Sequence, residues 1–320
     1  MRAAQLTAPG TWTLLDVDKP EPKDGLMLVR MERVAICGTD KPAYVGITPS
    51  YPVALGSTGH EGLGIVEACP SDAHQPGDRV LLYGADRGLF QEFVLAPPDL
   101  CIGLPQAAEP EIMLMSQLLG TVIHCFYKLG NIINQDVVVI GQGAVGQLFN
   151  ATLRNLGARR IIGVDPLDYR LVVGRRMGAT HTINPEKEDL QGAVAEITGG
   201  RMADVVVEAV GKEATFDLCS QLLRHSGTLI YFGVPNKENL EGRMTLRFME
   251  MFVKEFRIVT SVGPKPLEDY TIALDWITQG RVDVRPIVTQ VLPFEEIQTG
   301  FEMAFDRPAE DEVIKIVLRF

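Results

Sequence analysis

Two short segments bring metal-binding side-chain types within about twenty residues of each other: Cys37-Gly38-Thr39-Asp40 and Gly59-His60-Glu61. Thiolate sulfur and imidazole nitrogen are the usual zinc donors, and Glu61 adds an oxygen ligand. Taken singly, a cysteine or histidine is more often packed in a core than bound to a metal. The other cysteines (Cys69, Cys101, Cys125, Cys219) lack such neighbours and read as small buried hydrophobes. No CxxC occurs and the five are far apart, so a disulfide framework is not expected.

A second motif serves a different chemistry. Gly141-Gln142-Gly143-Ala144-Val145-Gly146 follows an apolar run, Val137–Ile140, and opens a helix. That context gives a GxGxxG its value as a dinucleotide fingerprint. Gly141 permits the tight turn, Gly143 lets the backbone approach a pyrophosphate, and Gly146 lets helix and strand pack closely. The pyrophosphate then meets the free N–H groups and positive end of the helix dipole. Asp165 ends the next strand, at the place of the acid that accepts hydrogen bonds from ribose hydroxyls and repels a 2′-phosphate. The expected cofactor is therefore NAD rather than NADP, with Arg170 near the adenine. A metal beside a nicotinamide points to hydride chemistry on a small alcohol or carbonyl compound.

These residues need a scaffold. The first 115 residues or so read as short strands punctuated by Gly and Pro: Leu26–Val34, Gly64–Ala68, Arg79–Tyr83 and Phe90–Leu95. From Glu111 the texture changes to a helix over 110–129 and then to alternating strands and helices. Expected strands are Val137–Ile140, Arg160–Val164, His181–Ile183, Val205–Glu208, Thr228–Phe232 and Arg257–Thr260. Expected helices are Val145–Leu156, Tyr169–Met177, Asp189–Thr198, Ala214–Leu223 and Leu267–Gln279. This alternation predicts an α/β fold with a doubly wound parallel sheet. Short strands return at Val288–Leu292 and Glu312–Leu318. The expected division is a mostly β catalytic domain over 1–115 and 285–320, and a dinucleotide-binding domain over 116–284.

The 320 residues are 46% hydrophobic and 22% charged, with a net charge of -11. An acidic chain is repelled by nucleic acid and by anionic membranes, so neither is an expected partner. Arg175 and Arg176 read as a solvated helix face. No apolar run reaches the roughly 18–20 residues of a membrane span. The first residues carry no signal-like apolar stretch, so a cytoplasmic location is expected.

CGTD, GHEGLGIV, PGDRV, the GxGxxG with Asp165, and the closing PFEEIQTGFEMAF occur in one characteristic order. In them the chain resembles the medium-chain dehydrogenase/reductase superfamily, in its zinc alcohol and polyol branch of sorbitol/threonine dehydrogenase type. The resemblance covers nearly the whole chain. It implies a GroES-like mostly β domain split by a Rossmann domain. It also implies a catalytic zinc on Cys37 and His60, acting as a Lewis acid. Thr39 matches the hydroxyl that passes the alcohol proton onward, Glu61 an acid close to the metal that can ligate it, and Asp40 a structural position. A homodimer or homotetramer is implied, with Arg257–Val262 as a candidate pairing edge.

The chain departs from the family in several places. The four-cysteine lobe that binds a structural zinc is missing between Leu81 and Phe93. The third zinc ligand, normally Cys, Asp or Glu, aligns with Gln117, a poor donor. Either Glu61 completes the site, or zinc is held weakly, or zinc is lost. His124 is a fallback ligand. The usual relay histidine is replaced by Lys41-Pro42-Ala43-Tyr44, which leaves Lys41, Tyr44 or Thr39 with water to move the proton. The loop LGSTGHE is longer than the usual LGHE and falls where it can shift His60. Tyr44, Tyr83, Phe90 and Phe248 are candidate substrate-pocket residues. Two other readings share the fold: a metal-free quinone or enoyl reductase, and an inactive nucleotide-binding relative of the lens-crystallin kind.

Overall fold

Asp136–Ile140 is buried at every position, as a strand covered on both faces of a parallel sheet must be. The structure, a computed structural model, describes residues 1–23, 25–47, 50–83, 88–235 and 244–320. In chain order it opens with β1 (Arg2–Ala8), β2 (Thr11–Asp16), β3 (Met27–Ala35), α1 (Lys41–Tyr44), β4 (Glu61–Ala68), β5 (Arg79–Leu82), β6 (Phe93–Ala96), β7 (Cys101–Gly103) and α2 (Pro110–Phe126). The alternating part is β8 (Asp136–Ile140), α3 (Ala144–Asn155), β9 (Arg160–Val164), α4 (Asp168–Arg176), β10 (His181–Ile183), α5 (Leu190–Thr198), β11 (Ala203–Glu208), α6 (Glu213–Leu222), β12 (Leu223–Tyr231), α7 (Phe248–Lys254) and β13 (Arg257–Thr260). The chain closes with α8 (Pro266–Thr278), β14 (Val288–Pro293), α9 (Ile297–Phe305) and β15 (Lys315–Arg319). Two units emerge. One comprises Met1–Leu118, Lys265–Asp275 and Val288–Phe320; the other comprises Leu119–Pro264 and Trp276–Ile287.

The first unit is built on a sheet of order β14-β15-β3-β4-β5-β7, with β6 also on β3. Its register positions the chemistry. Ala35, at the end of β3, faces Glu61 on β4 and Val317 on β15, and Ile36 N donates to Ile316 O at 3.1 Å. The strand end carrying Cys37 therefore lies between the start of β4 and the C-terminal strand. Behind the sheet Trp12, Phe90 and Phe301 pack at centroid separations of 4.8–5.6 Å.

The second unit is a six-stranded parallel sheet of order β10-β9-β8-β11-β12-β13. The strand order reverses between β8 and β11, and the crevice beyond the carboxyl ends at such a switch point is where doubly wound sheets take ligands. Its core is mainly aliphatic, with Val138, Ile162, Val206 and Leu229 fully buried and Phe216 and Phe256 packed among them.

The expected strands and helices of this unit are present, with ends shifted by a few residues. Four expectations need correction. Residues 2–16 form a hairpin that was not anticipated, turning at Gly10 with φ +70°. The strand expected from Phe90 starts at Phe93, because Phe90 is tied by its N–H to Gly56 O in the aromatic core. The strand expected from Glu312 starts only at Lys315, since Glu312 adopts a left-handed φ of +50°. Helix α9 interrupts the tail that read as strands only; Gly300 lowers its helix propensity, while Ile297 and Phe301, four apart, bury one face. Among the described residues no helix is long and apolar enough to cross a membrane.

Candidate metal and nucleotide sites

Leaving β3, the chain makes a 3-10 turn over Gly38–Asp40. Asp40 is fully buried and accepts the Cys37 N–H at 2.7 Å, while its own N–H donates to Cys37 O. Thr58 Oγ1 donates to the other oxygen of Asp40. Asp40 thus clamps the cysteine turn to the loop ahead of His60. His60 Nδ1 lies 3.0 Å from the Thr58 carbonyl and 3.6 Å from Asp40. With Nδ1–H donated to that carbonyl, Nε2 is left as the ligating atom. Thr39 Oγ1 donates to Cys37 Sγ at 3.1 Å and sits 3.2 Å from His60 Nε2. Glu61 opens β4. The ligand atoms of Cys37, His60 and Glu61 lie within 4.8 Å of one another. One sulfur, one nitrogen and one carboxylate at that spacing fit a zinc ion.

The electrostatics fit a cation too. Burial opposes the charged form of His60, but its hydrogen bond with Cys37 and the negative groups of Cys37, Asp40 and Glu61 outweigh it, and the imidazole pKa is pushed up to about 10. Burial pushes the Asp40 carboxyl up to about 6, against the opposing pull of His60 and the Thr58 and Cys37 hydrogen bonds. Glu61 is equally buried, yet the ammonium of Lys315 holds its carboxyl below the usual range.

Thr58 and Lys315 were not anticipated. Thr58 comes from the longer LGSTGHE loop, whose extra residues supply the group that orients His60. Lys315 is a lone charge in the apolar run Val313–Leu318, a signal that sequence reading passed over.

The remaining candidates fall as follows. Gln117 is buried on α2 and donates its amide nitrogen to His60 O at 2.8 Å, bracing the histidine backbone. His124 packs its ring edge-on to Tyr127. Tyr44 is buried against Phe301 and Phe305, and its hydroxyl donates to Asp306 at 2.9 Å. That bond removes its hydroxyl from the relay role considered for it. Lys41 opens α1. Tyr83 is buried edge-on to Tyr270. Phe90, fully buried, is a core residue rather than a pocket wall. Phe248 is 68% exposed on α7. The segment 84–87, within the stretch that replaces the cysteine lobe, lies outside the described residues.

In the second unit the glycine turn joins β8 to α3. Gly141 has φ +90°, and a Cβ there would lie 2.6 Å from Val210. A Cβ on Gly146 would lie 1.8 Å from Gly141 O, so only glycine lets the helix start this close to the turn. A Cβ on Gly143 would meet nothing within 4 Å. The backbone at this helix N-terminus, completed by Ala144 and Val145, is open to an approaching phosphate. Asp165 follows β9 and is 4% exposed. Its oxygens accept the Gln142 N–H at 2.8 Å and the Leu167 N–H at 3.0 Å. A carboxylate has about four acceptor sites, so capacity for ribose hydroxyls remains. Arg170 lies 3.7 Å from Asp165 and donates to the Tyr169 hydroxyl.

Comparison with known proteins matches both halves of the chain. The profile of the alcohol dehydrogenase GroES-like domain matches residues 23–106, and that of zinc-binding dehydrogenases matches residues 144–279. An L-threonine 3-dehydrogenase from Anaeromyxobacter sp. (strain Fw109-5) is 26% identical, covering 92% of this chain and 93% of its own. An alcohol dehydrogenase from Cupriavidus necator is 27% identical over 100% of this chain and 98% of its own. Among solved structures, an alcohol dehydrogenase from Thermus sp. ATN1 superposes with a TM-score of 0.86 at 27% identity, covering 100% of this chain and 99% of that one. With both domain profiles in order and relatives aligned end to end, the chain belongs to the zinc-type medium-chain dehydrogenase/reductase superfamily.

Proposed function

We propose that this protein is an NAD-dependent dehydrogenase of small alcohols or polyols, with one catalytic zinc held by Cys37, His60 and Glu61. The observation that carries the reading is the clustering of those three ligand atoms within 4.8 Å, with His60 oriented from behind by Thr58. Relatives named as alcohol and threonine dehydrogenases support the class of substrate. When bound, zinc supplies Lewis-acid polarisation of the substrate oxygen and NAD supplies a hydride acceptor.

The chain's own residues do the rest. Cys37 and His60 hold the metal, with Glu61 as the oxygen donor in place of the absent third acid. Gln117 braces His60 through its main chain. Thr39, exposed and within hydrogen-bond reach of both Cys37 and His60, takes the alcohol proton and hands it to water. Gly141, Gly143 and Gly146 with Ala144 and Val145 receive the pyrophosphate. Asp165 binds the ribose and excludes a 2′-phosphate, and Arg170 lies toward the adenine. On this reading residues 1–115 and 285–320 carry the metal, and 116–284 carry the dinucleotide. Copies of the chain assemble as a dimer or tetramer through β13, the last strand of its sheet, and the protein works in the cytoplasm.

The test is elemental analysis of the purified protein beside NAD reduction with a panel of secondary alcohols and polyols. About one zinc per chain and turnover with an alcohol support the reading. Metal-free protein that binds NADH and reduces quinones or enones overturns it in favour of a reductase. NADH binding with no turnover of any of these marks an inactive relative.

A further inference from the structure

The second residue of the glycine turn, Gln142, buries its side chain completely instead of meeting solvent. Its Nε2 donates to Val139 O at 3.1 Å, and its Oε1 accepts from Asn150 Nδ2 at 2.6 Å. Its main-chain N–H is the donor that meets Asp165, and its main-chain oxygen accepts from Gln147 Nε2 at 2.9 Å. The Gln147 amide also donates to Arg170 O at 2.9 Å. Gln147 and Asn150 lie on α3 and are likewise fully buried. Three buried amides therefore connect the turn to β8, to α3 and to the start of α4.

Two glycines elsewhere make room for Gln142. A Cβ on Gly163, inside β9, would lie 2.9 Å from the Gln142 carboxamide carbon. A Cβ on Gly174, inside α4, would lie 2.8 Å from its oxygen. Glycine inside a strand or a helix costs stability, so a glycine in each element facing the same side chain calls for a reason. Gln142 occupying both spaces is that reason.

We propose that Gln142 is a positioning residue for the dinucleotide: its buried carboxamide locks the phosphate turn and the ribose-binding acid Asp165 into one unit before the cofactor arrives. This rests on the nucleotide reading above. Among the described residues Gln147 Oε1 and Asn150 Oδ1 accept no hydrogen bond, so the bonds that Gln142 makes are what hold these two amides in one arrangement. If the network is broken, only a fraction of molecules hold the turn ready, and apparent affinity falls by that fraction.

The competing explanation is a wedge that merely fills space, and three variants separate them: Gln142→Met, Gln142→Ala, and Gln142→Ala combined with Gly163→Ala. Gln142→Met keeps the volume and removes the hydrogen bonds. Gln142→Ala with Gly163→Ala replaces part of the lost volume from the other side. NADH and NADPH titrations and thermal unfolding are measured on the full-length protein. A positioning role predicts that Gln142→Met raises the NADH Kd about tenfold, the loss expected from buried hydrogen bonds, and narrows the NADH-over-NADPH preference. The double variant should recover melting temperature relative to Gln142→Ala without recovering Kd. Wild-type affinity in Gln142→Met, or Kd recovering together with melting temperature in the double variant, overturns the proposal and leaves the nucleotide reading standing. Wild-type protein that binds neither dinucleotide overturns both.

Discussion

Lys315 Nζ lies 2.6 Å from Glu61 Oε2, and each side chain is only 3% exposed. An ammonium and a carboxylate taken out of water together are costly unless each satisfies the other. Burial alone would lower the lysine pKa, but Glu61 and, more weakly, Cys37 and Asp40 raise it, so Lys315 stays charged. The last strand of the chain thus delivers a permanent positive charge behind the candidate metal ligands. Glu61 has two neighbours to serve, an ammonium on one side and the metal position on the other.

Replacing Lys315 with Met should therefore act differently with and without metal. In metal-free protein the variant leaves Glu61 buried without its ammonium, with His60 as its remaining cationic neighbour, a loss of up to about 3–5 kcal/mol. With zinc bound, Glu61 has a second cationic partner and the loss should shrink. Denaturant unfolding of both forms measures the difference. Equal losses would mean that Glu61 does not serve the metal.

How much of this was readable beforehand depends on the kind of interaction. Cys37, His60 and the glycine turn stand in local motifs whose spacing encodes their geometry. The parallel strands were legible because they are apolar on both faces. Lys315 was not legible, because its partner is more than 250 residues away and only the β15–β3–β4 register brings them together. Phe90 looked like a pocket residue for the same reason: its contacts with Trp12 and Phe301 come from opposite ends of the chain. The first hairpin was missed because the adjacent Leu14 and Leu15 break the polar–apolar alternation of Thr11–Asp16, with Leu14 on the exposed side.

The ribose site yields a specificity test. Asp165→Ser combined with Pro166→Arg removes the carboxylate that would repel a 2′-phosphate and supplies a cation for it. The ratio of kcat/KM for NADP to that for NAD should rise at least about tenfold, equivalent to about 1.4 kcal/mol. An unchanged ratio would mean that the ribose binds elsewhere.

Thiol reactivity can report metal binding without any turnover. Burial pushes the Cys125 thiol up to about 11 and Cys219 well above its ordinary value, so both should resist thiol reagents. Cys101 is buried as well. Burial raises the Cys69 pKa, but the hydrogen bonds from Ser71 and His74 together outweigh it and hold the thiol below its ordinary value, so it should react in every form of the protein. Cys37 is the variable one: zinc should mask it and a chelator should unmask it. The prediction is one fast thiol in zinc-loaded protein and a second after chelation, lost again in Cys37→Ala. Identical thiol counts before and after chelation would remove Cys37 from the metal site.

Thr39 offers the sharpest test of the proton path. Its hydroxyl is the one described side-chain hydroxyl that reaches both Cys37 Sγ and His60 Nε2, at 3.1 and 3.2 Å. Tyr44 cannot compete, because its hydroxyl is bound to Asp306 and burial, with that bond, raises its pKa far above the neutral range. Thr39→Val keeps the shape and removes the hydroxyl. Positioned proton transfer contributes about 10²–10⁴-fold, so kcat for alcohol oxidation should fall by at least about 10² while zinc content and NADH affinity stay at wild-type levels. Thr39→Ser should restore most of the loss, since only the methyl is missing. A valine variant with wild-type kcat across the pH range would show that the alcohol proton leaves by another route. A valine variant that loses zinc would show that the hydroxyl acts by holding Cys37 and His60 in place.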